Sequence, residues 1–260
     1  MATKVVRTQA FVISLDDAHQ RRTRFADRAR AVEAKVDWTF FDAHRGLDPR
    51  LAYEPALAQT HYGRALRQGE LGCYSSHVGT WRALLEGDAD QCIVLEDDVI
   101  VDWRTLELVA QNDFAGRGHH YVRLYCRRPS QFVVLDPKYL NNSTSLLRLL
   151  GKPYGTQGYV MTRTGAERML EVCSTVVRPI DDQMDRFWEH GVPNLAIFPP
   201  PILEEAVPSM IGQMRLETGE KIVQAGRPAG AWKDALHRSS LAMGITLQHK
   251  LKRRLQKLRR

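Results

Sequence analysis

Ala10-Phe-Val-Ile-Ser-Leu15 is the stretch from which the fold is read. It is a short apolar run with β-branched content, long enough for a buried strand and too short for a helix. Asp16 and Asp17 can cap a helix that starts after them. Ala18 to Lys35 is rich in Arg and Ala, with Glu33, and without Gly or Pro, which predicts an amphipathic helix. Trp38–Phe41 is a second apolar run, closed by Asp42 and Ala43. Strand, helix and strand within about 32 residues has the length of a βαβ unit, and parallel strands require such a crossover.

Outward from that unit, Arg45 to Gly69 reads as irregular, punctuated by Gly46, Pro49, Pro55 and Gly63. Glu70 to Leu85 predicts a helix with Leu71, Tyr74, Val78, Trp81 and Leu85 on one stripe. Further strands are expected at Gln91–Leu95, Tyr121–Tyr125, Phe132–Leu135, Tyr159–Thr162 and Leu195–Phe198. Helices are expected at Thr164–Cys173 and Asp182–His190. Pro199, Pro200 and Pro201 end the last strand, because none of them can donate to a ladder. The alternation predicts an α/β domain, a mostly parallel sheet flanked by helices, over residues 1–215. A C-terminal extension takes up 216–260.

Composition narrows the class. With 260 residues, 43% hydrophobic and 26% charged, the chain is an ordinary globular protein. It can bury a core without disulfide or metal staples. Cys73, Cys92, Cys126 and Cys173 show no CxxC pair and read as reduced core or near-core thiols. No apolar run approaches the roughly 18 residues that cross a bilayer. Met1 to Gln9 lacks an apolar h-region, so a cytoplasmic location is expected. The net charge of +7 belongs to the tail: Lys250 to Arg260 carry seven basic residues and no acid. The other 30 basic residues balance the 30 acidic ones.

Chemistry concentrates in Cys92-Ile-Val-Leu-Glu96-Asp97-Asp98-Val-Ile100. In an open parallel sheet, ligands bind beyond the C-terminal ends of strands. In extended backbone Glu96 and Asp98 point to one side and Asp97 away. Two converging carboxylates suit Mg²⁺ or Mn²⁺, with room for water and phosphate oxygens. The competing reading is a solvated acidic turn. A second cluster, Asp181, Asp182 and Asp185, comes after Arg178-Pro179-Ile180. It is either a helix N-cap with first-turn acids or a source of a general base.

These blocks resemble glycosyltransferase family 25, the lipopolysaccharide and lipooligosaccharide sugar transferases. The resemblance is carried by Phe11-Val-Ile-Ser-Leu-Asp-Asp-Ala18 with Arg21-Arg22, Phe40-Phe-Asp42-Ala43, and Gly69-Glu70-Leu-Gly72-Cys73-Tyr-Ser-Ser76-His77. Val94-Leu-Glu96-Asp97-Asp98-Val99, Gly155-Thr156-Gln-Gly158-Tyr159 through Ala166, and Pro179-Ile-Asp181 continue it in order. It spans about residues 9 to 205. It implies a GT-A-type fold, a nucleotide-diphosphate sugar donor (usually a UDP-hexose), a divalent metal and inversion at the anomeric carbon. On the matching positions, Asp98 and Glu96 would hold Mn²⁺ or Mg²⁺, with Glu96 and Asp97 also toward the donor. Asp181, or Asp182 beside it, would be the base. Ser14, Leu15, Arg22, Asp42 and Ala43 would face the nucleotide, only one of Arg21 and Arg22 pointing inward. Thr156, Gly158 and Tyr159, with Gly155, would wall the transferred sugar. His77 is either structural or a support for donor or metal. A protein or other polysaccharide acceptor, or an inactive binding module on the same fold, are the alternative readings. A dinucleotide dehydrogenase is disfavoured, since no G-x-G-x-x-G comes after the first strand.

The tail carries Leu247, Leu251, Leu255 and Leu258 at spacings of 4, 4 and 3, one helical stripe among Lys and Arg. A basic amphipathic helix reads as a membrane-surface element over 247–260, peripheral at the inner face of the membrane and close to a lipid-linked oligosaccharide acceptor. Nucleic acid is not expected as a partner, because aromatic interleaving and a recognised module are lacking. A partner helix and a disordered tail are the other readings.

Overall fold

The computed structural model describes residues 5–205 and 231–258. The opening unit folds as read: β1 (Thr8–Ser14), α1 (His19–Ala31) and β2 (Trp38–Asp42), with β1 and β2 parallel. β4 (Gln91–Glu96) lies parallel on the other side of β1. The sheet continues through β9 (Gly158–Thr162), β6 (Tyr121–Arg123), β11 (Leu195–Phe198), β8 (Ser145–Leu149) and β7 (Phe132–Asp136). Its order is β2-β1-β4-β9-β6-β11-β8-β7. Six of the eight strands run one way, and β9 and β8 run against them. The expected parallel order therefore holds for β2-β1-β4, and beyond it the sheet is mixed.

Side chains alternate between two cores, as strand geometry requires. Ala10, Val12, Ile93, Leu95 and Val160 face one way, toward Phe25 and Ala29 of α1 and toward α4 (Trp103–Gln111). Ile13, Cys92, Val94, Tyr159 and Met161 face the other way, toward α3 (Gln68–Glu86) and α5 (Arg163–Cys173). Cys92 to Leu95 are wholly buried, because a central strand is covered on both faces. Cys92 and Cys173 are buried thiols; Cys73 and Cys126 are partly so.

Several expectations about elements need correction. Asp16 and Asp17 do not cap α1, whose N-cap is Ala18; both acids pair with Arg45 instead. The segment expected to be irregular contains β3 (Ala52–Tyr53) and α2 (Pro55–Tyr62). Pro55 stands at the first helical position, where a missing N–H costs nothing, and Gly63 closes the helix at φ 93°. The helix expected over 182–190 is two short ones, α6 (Ile180–Met184) and α7 (Phe187–His190). α4, β8, β5 (Val99–Val101) and β12 (Ile202–Glu204) are additional elements; β5 and β12 pair antiparallel on the far side of the acidic turn. The three prolines do end β11. The C-terminal helix α8 spans Ala231–Leu258, starting well before the Leu stripe. The boundary expected at 215/216, the side chains of Leu255 and Leu258, and Arg259 and Arg260 lie outside the described residues.

Candidate active site

β1, β2 and β4 all end at one edge of the sheet, at Ser14, Asp42 and Glu96. The chain turns sharply after Glu96, and that turn sets the directions of the three acids. Asp97 is buried: Ser14 Oγ donates to its Oδ2 at 2.7 Å and Arg21 Nη1 to its Oδ1 at 2.7 Å. Extended backbone would point Asp97 away from the site; the turn folds it back against β1 instead. Arg21 also reaches Asp98 Oδ2 at 3.5 Å. Asp98 Oδ1 is buried and has no hydrogen-bond partner among the described residues. Burial, with Glu96 and Asp97 nearby, pushes the Asp98 carboxyl up to about 7.

Glu96 is held differently. Thr156 Oγ1 donates to Glu96 Oε1 at 2.5 Å, and His77 Nε2 lies 3.6 Å from the same oxygen. Burial works to raise the Glu96 pKa, but His77, Thr156 and Arg21 outweigh it and hold it below the usual glutamate range. Behind His77 a chain of polar groups crosses the core. Trp81 Nε1 donates to Tyr159 Oη at 2.8 Å, and Tyr159 Oη lies 3.0 Å from His77 Nδ1. With Tyr159 donating to Nδ1, the Nε2–H of His77 faces Glu96. Tyr159 is thus buried behind the cleft and does not wall it. Gly158 is also a packing residue, since a Cβ there would lie 2.9 Å from Ile202 Cγ1.

The Gly69–His77 block shapes the opposite side. Ser75 Oγ and Ser76 Oγ accept the backbone N–H groups of Asp48 and His44, at 2.8 and 2.9 Å. A Cβ on Gly72 would sit 2.4 Å from the His44 carbonyl oxygen. α3 and the loop after β2 therefore meet backbone to side chain, with no room for anything larger than glycine.

Asp181 and Asp182 separate cleanly. Asp182 is buried between Lys152 Nζ at 2.5 Å and Arg178 Nη1 at 3.5 Å. Asp181 keeps some exposure and, among the described residues, accepts only backbone N–H groups, from Asp182 at 2.8 Å and Gly155 at 3.4 Å. Burial raises its pKa.

The same short loop serves both carboxylates. Gly155 gives its N–H to Asp181 while Thr156 gives its hydroxyl to Glu96. Tyr154 and Gly155 have φ of 55° and 85°, and a buried ion pair pins them there. Arg123 Nη2 meets Asp185 Oδ1 at 2.5 Å, and both side chains are at most 1% exposed. Arg123 Nη1 donates to the carbonyls of Tyr154 and Gly155, and Asp185 Oδ2 accepts the Tyr154 N–H. Sequence reasoning misses the parts that Arg123, Asp185, Lys152 and Arg21 play here. Asp185 is visible within the second acidic cluster; Arg123 carries no signal, standing inside an apolar strand.

At the ends of β1 and β2 both arginines turn inward, where only one was expected to. Arg22 Nη2 donates to the Ser14 carbonyl at 2.8 Å and to Asp42 Oδ1 at 2.5 Å, and its guanidinium stacks over Phe40. Ala43 N–H is tied to the Ser14 carbonyl at 2.9 Å, and Leu15 is half-buried beside them. Asp42 is exposed at the strand end.

A divalent cation fits at Asp98, where a buried carboxylate oxygen lacks a partner beside two further acids. Among the described residues no group of three or more His, Cys, Asp or Glu side chains closes around a metal by itself. That donor set suits an ion that takes its remaining ligands from a phosphate and water.

Residues 7–184 match the family described as glycosyltransferase family 25 (LPS biosynthesis protein). The chain belongs to that family. It is 28% identical over 170 residues to a glycosyltransferase 25 family member of Aedes aegypti, covering 62% of this chain and 27% of the relative. To a glycosyltransferase 25 family member of Anopheles gambiae it is 25% identical over 198 residues, covering 72% and 33%. To procollagen galactosyltransferase 1-B of Xenopus laevis it is 25% identical over 174 residues, covering 62% and 28%. The chain thus spans about a third or less of these relatives. The matched residues contain β1 through α6, and with them every carboxylate of the site up to Met184. No described helix is long and apolar enough to cross a membrane.

Proposed function

We propose that the protein is an inverting, metal-dependent hexosyltransferase with a GT-A arrangement, using UDP-galactose or UDP-glucose to extend a lipopolysaccharide core. The observation that carries this reading is the pairing of two unlike carboxylate sites across one loop. Asp98 is short of positive charge; Asp181 is short of any charged partner. Asp98 and Glu96 would hold Mn²⁺ or Mg²⁺, which when bound neutralises charge on the departing nucleotide diphosphate. Arg21 and Arg22 add fixed cations at the same strand ends, suited to phosphate.

Asp181 takes the proton of the acceptor hydroxyl. The hydroxyl oxygen forms the new bond to the anomeric carbon from the face opposite the diphosphate, and the broken C–O pair leaves with the nucleotide. Burial keeps the Asp181 carboxylate more basic than a solvated one, which favours proton acceptance. Thr156 and Gly155, on one loop, bond Glu96 and Asp181 respectively.

Similarity to a procollagen galactosyltransferase favours a second reading, with a protein acceptor. The first test is hydrolysis of UDP-galactose, UDP-glucose and UDP-N-acetylhexosamines, each with Mn²⁺ and with EDTA. Metal-dependent release of UDP from one donor is expected and names the sugar. Absence of binding to every donor in Mn²⁺ would overturn the mechanism and leave an inactive binding module. Acceptor assays with core oligosaccharide and with procollagen peptide then separate the two acceptors.

A further inference from the structure

A further concavity lies where α8 crosses the body, a groove of about 600 Å³ between α8 and the loops 129–131 and 150–152. Arg238, Ala242, Ile245, Thr246 and His249 are half-buried, marking the helix face turned to the body. The groove is lined by Lys152, Arg238 and Lys250, with Ser130, Thr246 and Leu150 among the rest. Among the described residues its lining holds three cations and no carboxylate. Arg238 and Lys250 both line the groove, and neither makes an ion pair with another described residue.

The groove also has a fixed relation to the site. Lys152 lines it and bonds Asp182, and three residues further on Gly155 bonds Asp181. Three residues of chain span at most about 10 Å. The Lys152 end of the groove is therefore joined by a short stretch of chain to the loop that bonds Asp181.

We propose that this groove binds the acceptor, and that the acceptor carries an anionic group, phosphate or carboxylate, on a sugar next to the one extended. Arg238 and Lys250 receive the anion; hydroxyls and the Leu150 side chain contact the sugar rings. That an acceptor fills the groove rests on the glycosyltransferase reading; the anion site itself does not depend on it.

The test uses the full chain with UDP and Mn²⁺ present to fill the donor end. Hydrogen–deuterium exchange of segments 129–131, 150–152 and 238–250 is monitored while glucose 6-phosphate, glucuronate or glucose is titrated. Protection by a charged sugar and not by glucose is expected. Glucose 6-phosphate acting alone assigns phosphate; glucuronate acting equally assigns a general anion site. The double variant Arg238→Ala/Lys250→Ala should weaken that protection about tenfold or more. UDP-hexose hydrolysis by the same variant should match wild type, showing an intact fold and donor end. Equal protection by glucose, undiminished binding by the double variant, or no protection at saturating charged sugar would each overturn the proposal. If wild type hydrolyses no donor yet the groove is protected, the transferase mechanism falls and the anion site stands.

Discussion

At the scale of single residues, charge pairing divides roles that adjacency in sequence leaves equal. Asp182 is neutralised by Lys152 and Arg178, whereas Asp181 accepts only backbone N–H groups among the described residues. Asp181→Asn should therefore lower kcat about 10²- to 10⁴-fold with little change in donor KM. Asp182→Asn should lower the unfolding temperature while keeping measurable turnover, because it leaves the buried Arg178 and the half-buried Lys152 without their carboxylate. The reverse pattern in steady-state kinetics would exchange the two assignments. Asp185→Asn is expected to cost about 3–5 kcal/mol in urea unfolding, since Arg123 is left buried without its partner. In the residual folded enzyme kcat should fall too, because Tyr154 and Gly155 lose their clamp.

Elements show why polar groups could enter the core at all. α3 reaches the sheet because Glu70 caps the N–H of Arg67 and takes two bonds from Arg64, while Gly72 admits the loop after β2. α7 ends on His190, whose Nε2 lies 3.2 Å from the Met184 carbonyl while Nδ1 accepts the Val192 N–H. Both nitrogens are thus used as a neutral ring needs them, and burial pushes the imidazole down to about 4. The unfolded chain binds a proton near its ordinary 6.5, the folded chain only near 4. Stability from this group is whole above 6.5 and is lost as pH falls toward 4. His190→Gln should flatten that part of the pH dependence of unfolding free energy; an unchanged slope would place its cause elsewhere.

For the whole molecule, α8 has two faces. One meets the body; the other exposes Trp232, Leu236 and Leu251, with Met243 and Leu247 exposed where it borders the groove. These residues project to one side of the helix at helical spacing, beside the basic run that begins at Lys250. The arrangement supports docking to an anionic membrane, each basic residue adding about 1 kcal/mol near the surface. Full-length protein should co-sediment with vesicles containing anionic phospholipid, and a chain ending at Gly244 should not. Equal binding by the shortened chain would rule out docking through this helix.

The βαβ opening, the acidic strand end and the family are legible in the amino-acid sequence, because each is written in a local pattern. An apolar run of strand length, a carboxylate triplet and ordered short blocks all survive without knowledge of neighbours. Only packing folds Asp97 back onto Ser14, sets Tyr159 behind His77, and neutralises Asp182 while leaving Asp181 unpaired. Packing also brings Arg123 to Asp185, 62 residues apart in the chain. The reason is physical: which carboxylate stays free depends on the cations placed around it, and those come from distant strands and loops.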